Sequence, residues 1–276
     1  MRRLVFAILI VSVTALAWWP SLDAQGRATV DAAFKRALVT WALARGLNGV
    51  LSVAQGTEVA IQPAGVGVNF APGEILDPIN DLVERFSWIM MLASSSLGVQ
   101  QILLAMSAWK GLIIALTVAA AVAIAARYWM QNPRIVKISG RIFLFLLLLR
   151  FMMPGIALAN QWVYNTFLDA DYQTASGELS LAQEKISHLN DEARQDRSNG
   201  DGEESLSTLR RAREALRRFG DAVSIEKRMD DYRVAAERIS ENTIRLVVVF
   251  LMQTVVFPVV FLLIVLGIIR RIINTP

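Results

Sequence analysis

The residue most able to do chemistry in this chain is Arg150, which interrupts an apolar block at 142–163. A charge at the centre of a membrane span costs at least ~2.5 kcal/mol on insertion scales, so it must be paired, reach water or line a pathway. No Asp or Glu lies inside any apolar block of the sequence. The nearest polar candidates are Gln253 and Thr254, midway along the last block at 246–269, which runs the opposite way. Two prolines, Pro154 and Pro258, mark expected kinks in these two segments. Pro154 cannot donate to the carbonyl of Arg150 and so frees an acceptor. The expectation is that Gln253 or kink carbonyls hold the guanidinium as structural glue. The alternative is a cation lining a pathway for anions.

Other chemistry finds little support. Cysteine is absent, which excludes disulfides and thiolate ligands. The single histidine, His188, sits one residue off an apolar helical seam and reads as solvated. Ser94-Ser95-Ser96 has no base at motif spacing to activate a nucleophile. Gly65-Val66-Gly67 lacks the third glycine and the helix start of a nucleotide loop. Arg210, Arg211, Arg213, Arg217 and Arg218 lie among acids such as Glu203, Glu204 and Glu214, so exposed ion pairs account for them. The pI of about 9.7 invites a nucleic-acid reading, but the location of the charges argues against it. No catalytic residue, metal site, cofactor or nucleic-acid partner is expected, and the chain does not read as an enzyme.

The elements that must position Arg150 are membrane helices. Mean hydropathy is +0.43, and the apolar residues come in blocks at 4–19, 111–126, 142–163 and 246–269. About 20 apolar residues span the hydrocarbon. A further block, 86–109, is long enough to span, but only Lys110 and Gly111 separate it from the next. The charge rule decides its reading. With Arg2 and Arg3 inside and 86–109 not spanning, Arg127, Arg134, Lys137, Arg141, Arg270 and Arg271 all face the cytoplasm. Block 86–109 therefore reads as interfacial or re-entrant. Six tryptophans, Trp18, Trp19, Trp88, Trp109, Trp129 and Trp162, stand at block ends, where such rings favour the headgroup level. The first block is either an anchor or a signal peptide cut after Ala24.

Outside the membrane, residues 28–45 read as an amphipathic helix ended by Asn48-Gly49. Short β-prone runs at 50–70 read as a small β-meander or hairpin, and Asp77-Pro78 opens the next helix. Residues 164–244 carry interspersed acids and bases around an apolar seam of Tyr172, Ala175, Leu179, Ala182, Ile186 and Leu189, spaced by three and four. That is a coiled-coil or hairpin pattern. Ser198–Gly202 and Gly220 are expected to break it into three helices. In the second span, Gly111, Ala115, Ala119 and Ala123 form a small-residue stripe suited to close helix packing.

The fold class expected is an all-α integral membrane protein with about four transmembrane helices. Its parts are an anchor or signal peptide at 1–20 and a periplasmic amphipathic helix, β-meander and interfacial helix at 21–110. Two spans around the basic loop 127–141 follow at 111–163, then a periplasmic coiled-coil region at 164–244. A last span and a short cytoplasmic tail occupy 245–276. The location expected is a bacterial inner membrane, with the lipid bilayer and a second copy or another envelope protein as partners. The leading function is an envelope scaffold acting through periplasmic helices. A channel or transporter component using Arg150 is the alternative, and an envelope sensor is a weaker one.

Overall fold

The computed structural model describes the backbone of residues 2–56, 59–61, 68–70, 72–130, 132–200 and 208–274. It describes side chains for 4–56, 75–130, 132–192, 227 and 229–271. The described chain is almost entirely helical. Its helices are α1 Arg2–Ala17, α2 Pro20–Gln55, α3 Pro72–Ser107, α4 Lys110–Trp129, α5 Pro133–Val163, α6 Asp169–Gly200, α7 Thr208–Leu251 and α8 Phe257–Asn274. A π-helical turn at Tyr164–Leu168 joins α5 to α6, and another at Met252–Val256 joins α7 to α8. Five helical stretches are long and apolar enough to cross a membrane, and the apolar run Leu4–Ala17 is shorter. The chain is an all-α, multi-pass membrane protein.

Several boundaries differ from the sequence expectation. Helix α2 runs through Asn48-Gly49, and the run at 50–55 is helical rather than β. A helical glycine costs only ~1 kcal/mol, and Leu47, Leu51 and Ala54 are all fully buried on either side of it. Between α2 and α3, Val59–Ile61 pairs antiparallel with Val68–Phe70, with Val59 opposite Phe70. Helix α3 starts at Pro72, five residues ahead of Asp77, and contains Pro78. Helix α7 passes through Gly220, so the two helices expected on either side of it are one. Of the break expected at Ser198–Gly202, residues 198–200 still belong to α6, and 201–202 lie outside the described residues. Helices take up most of the basic loop, since α4 ends at Trp129 and α5 begins at Pro133. Asn132 caps α5 by accepting from the Arg134 amide at 3.0 Å.

Two compact units divide the chain: 1–36, 93–167 and 251–276 form the first, and 37–92 and 168–250 form the second. In the first unit, helix directions follow from contacts. The Ala17 carbonyl accepts from Arg150, Asp23 pairs with Arg150, and Val30 packs with Ala157. Helices α1 and α2 therefore both run in the direction of α5. The end of α3 runs against α2, since Gln101 donates to Asp31 and Leu104 packs with Val30. Helix α8 also opposes α5, because the Asn160 amide donates to the Gln253 carbonyl while Phe261 lies against Gly155. Helix α4 opposes α5: Thr117 near its start accepts from Trp18, next to the Ala17 that binds Arg150, while its end at Trp129 adjoins the start of α5 at Pro133. So α3 and α4 run in one sense and α1 and α2 in the other. The breaks at Trp18-Trp19 and Ala108-Trp109 interrupt these helices without reversing them. The spacer before α4 is too short for a hairpin, and no hairpin is made there. Ile10, Ala17, Leu116, Ala120, Ala123 and Phe143 form the core where α1, α4 and α5 meet.

In the second unit the six seam residues Tyr172, Ala175, Leu179, Ala182, Ile186 and Leu189 are all buried. On α7, Tyr232, Ala235, Ala236 and Ile239 are buried too. Ion pairs at the rim, Lys185–Asp231 at 2.6 Å and Glu178–Arg238 at 3.6 Å, fix α6 and α7 as antiparallel. A buried amide links three helices: Asn190 donates to the Val50 carbonyl at 2.9 Å and accepts from the Tyr232 hydroxyl at 3.1 Å. It thereby ties α2, α6 and α7 into one register, since any slip would strand a buried amide. His188 is exposed and lies off the seam.

Burial of the seam generates a test. Leu179→Ala and Ile186→Ala should each cost ~2–5 kcal/mol of stability. Leu181→Ala, at an exposed position, should cost almost nothing. Thermal unfolding of the full chain in detergent reads this directly. Equal melting temperatures for all three variants would show that the seam does not hold the unit together.

Candidate functional site

Arg150 is completely buried, and its partner is not the expected one. Its Nη1 and Nη2 donate to the two carboxylate oxygens of Asp23 at 2.8 and 2.7 Å. Its Nε and Nη2 also donate to the Ala17 carbonyl at 3.2 and 2.9 Å. Four hydrogen bonds therefore engage a group that has five N–H donors. The fork-to-fork geometry is the strong form of an arginine–carboxylate pair.

The break between α1 and α2 makes this acceptor site. Helix α1 ends at Ala17, and the last carbonyls of a helix have no intrahelical donor. They carry the negative end of its dipole. Asp23 stands in the first turn of α2, where an acid is favoured by the positive end of that helix's dipole. Sequence reasoning missed Asp23 because it lies outside the apolar block, in the stretch read as a cleavage region. The signal was available: an acid soon after a Trp-Trp-Pro helix break, and an arginine with no acid inside any span.

Gln253 is buried, but it stands at the level of Asn160, ten residues further along α5 than Arg150. Ten residues of helix are ~15 Å, so the expected Arg150–Gln253 contact is ruled out by register. The local geometry has its own logic. Pro258 has no N–H to give the Thr254 carbonyl. The Phe257 amide donates to Met252, five residues back, making the π-turn. That shift frees the Gln253 carbonyl, which takes the Asn160 Nδ2 at 2.9 Å. Asn160 Oδ1 and Gln253 Oε1 are buried with no hydrogen-bond partner. Thr254 is buried beside Gln253. Pro154 is buried on α5, with its Cα close to Gly26.

The small-residue stripe divides. Ala123 is in the core and Ala119 packs against it, but Ala115 is exposed. The inward face of α4 is Ile113, Leu116, Ala120, Ala123 and Ala126, so the stripe is rotated off the contact. Gly111 serves another purpose, because a Cβ there would meet the Trp109 ring at 2.5 Å. Glycine lets that indole fold over the start of α4. The side chains of Arg210, Arg211, Arg213, Arg217 and Arg218 lie outside the described residues. Among the described residues no group of His, Cys, Asp or Glu is arranged to hold a metal. No protein-family model, curated protein or solved structure matches the chain.

The ion pair should behave as a unit. Breaking a buried pair from one side strands the other charge and typically costs ~3–5 kcal/mol. Asp23→Leu and Arg150→Leu should each lower the melting temperature in detergent sharply, and the double variant should recover much of the loss. Additive losses in the double variant would mean the two residues do not depend on one another.

Proposed function

We propose that the chain is an inner-membrane scaffold that docks an envelope partner, or a second copy of itself, through the helices of residues 164–244. The observation that carries this reading is the second unit's construction. Its helices are knit by the Asn190 network and continue in sequence into apolar helices: residues 133–192 form one helical stretch. Such a unit is suited to presenting a defined surface. Because the seam is consumed within the chain, the docking surface is assigned to the outward faces of α6 and α7.

The proposed topology has four crossings: α1–α2, α3–α4, α5–α6 and α7–α8. It is supported by the shared directions of α1 with α2 and of α3 with α4. Block 86–109 then adds no crossing of its own. Arg127, Arg134, Lys137, Arg141, Arg270 and Arg271 gather on the cytoplasmic side, as the charge rule favours. The chain has no cysteine, so single cysteines report cleanly. Asn132→Cys should resist an impermeant thiol reagent in intact spheroplasts, and Ser180→Cys should react. The reverse pattern would invert the map.

In this reading α1 stays attached. A cut after Ala24 would remove both Asp23 and Ala17, leaving Arg150 buried without a partner. Intact mass of the purified protein should therefore include residues 1–24. A mass beginning at Gln25 would refute the anchor.

A channel or transporter component is the second reading, and one observation moves it away from Arg150. The unpartnered oxygens of Asn160 and Gln253, on facing helices that each carry a π-turn, are a better polar site than an arginine closed off by Asp23. π-turns recur at functional sites. Asn160→Leu and Gln253→Leu separate the readings: a transporter loses flux in vesicles, whereas the scaffold keeps its partner in a detergent pull-down.

A further inference from the structure

The first unit contains an open groove of about 370 Å³ between α1, α5 and α8. Its lining is wholly apolar: Val13 and Leu16 from α1, Leu147, Leu148, Phe151 and Met152 from α5, and Phe261 and Val265 from α8. Arg150 lies on the same stretch of α5 but contributes nothing to the groove, because Asp23 and Ala17 hold its charge behind the wall. One end is closed by Phe261, whose ring rests on Gly155; a Cβ there would stand 3.2 Å from it.

The other end leads to charge. On α5, Arg141 precedes Leu147 by six residues, or ~9 Å. On α8, Arg270 follows Val265 by five, or ~8 Å. Because α5 and α8 are antiparallel, these bases lie at the same end of the groove, together with Lys137 and Arg271. All four side chains are exposed. An apolar bore with a basic mouth matches one class of molecule in a membrane. We infer that the groove holds an acyl chain of an anionic phospholipid whose phosphate is met by Lys137 and Arg141, which share one helical stripe of α5 with the lining residues Leu148 and Met152. A methylene is about as large as a water, roughly 30 Å³, so the groove takes on the order of a dozen methylenes. Basic residues at the cytoplasmic ends of membrane helices recognise anionic headgroups in this way.

The experiment uses the full chain, purified in detergent, stripped of lipid and titrated with phosphatidylglycerol or phosphatidylcholine under native mass spectrometry. One phosphatidylglycerol should bind with a preference of roughly tenfold or more, as expected for charge-assisted contacts. Val265→Phe and Leu148→Trp, which fill the groove, should weaken binding of both lipids. The double change Lys137→Gln with Arg141→Gln should abolish only the preference. Melting temperatures identify variants that fold; if Leu148→Trp does not, Val265→Phe decides. Equal binding of the two lipids to the unaltered protein overturns the charged mouth. Binding that survives both folded fillings overturns the groove.

Discussion

The arrangement of the first unit turns on a guanidinium that cannot be left alone. A charge in a water-free interior needs a counter-charge and acceptors for its remaining protons. A continuous helix offers neither, because its carbonyls are already used. The chain meets the need by ending one helix and starting another at that point. The end of α1 supplies a free carbonyl, and the first turn of α2 supplies a carboxylate. The break at Trp18-Trp19 is thus a binding element for Arg150. Its companion at Ala108-Trp109, where an indole folds over Gly111, separates α3 from α4.

The two π-turns answer a related problem. Pro258 leaves a carbonyl without a donor, and a local change of register moves the deficit to Gln253, where Asn160 supplies the donor from the neighbouring helix. Helix defects here are occasions for contact between helices. Where a defect is compensated, as at Ala17 and at the Gln253 carbonyl, it fixes register. Beside the second of these contacts, the side-chain oxygens of Asn160 and Gln253 are left without hydrogen-bond partners.

Periodic features could be read from the sequence. The apolar blocks are helices, and the seam from Tyr172 to Leu189 is buried as its spacing implied. The basic residues of 127–141 and the tail mark one end of the antiparallel helices. What the sequence hid depended on pairing over distance. Asp23 looked like part of a processing site because its partner lies 127 residues away. Asn190 drew no reading, because nothing local shows that Val50 and Tyr232 converge on it. Glycine was over-read: Gly49 and Gly220 pass through helices, and at Gly49 burial on both sides outweighs a cost near ~1 kcal/mol. At Gly111, a motif for close helix packing turned out to seat an indole.

The separation of Asp23 and Arg150 also sets a clock. At synthesis rates of about 5–20 residues per second, the arginine emerges on the order of ten seconds after the acid. For that interval Asp23 has no counter-ion, and a carboxylate committed to hydrocarbon would be costly. The helix break next to it keeps the acid at the end of a short segment rather than in the middle of a long one, where it can remain hydrated while α5 is still being made. Assembly of the first unit is therefore ordered in time: the junction of α1 and α2 closes only once α5 has been made and Arg150 has arrived.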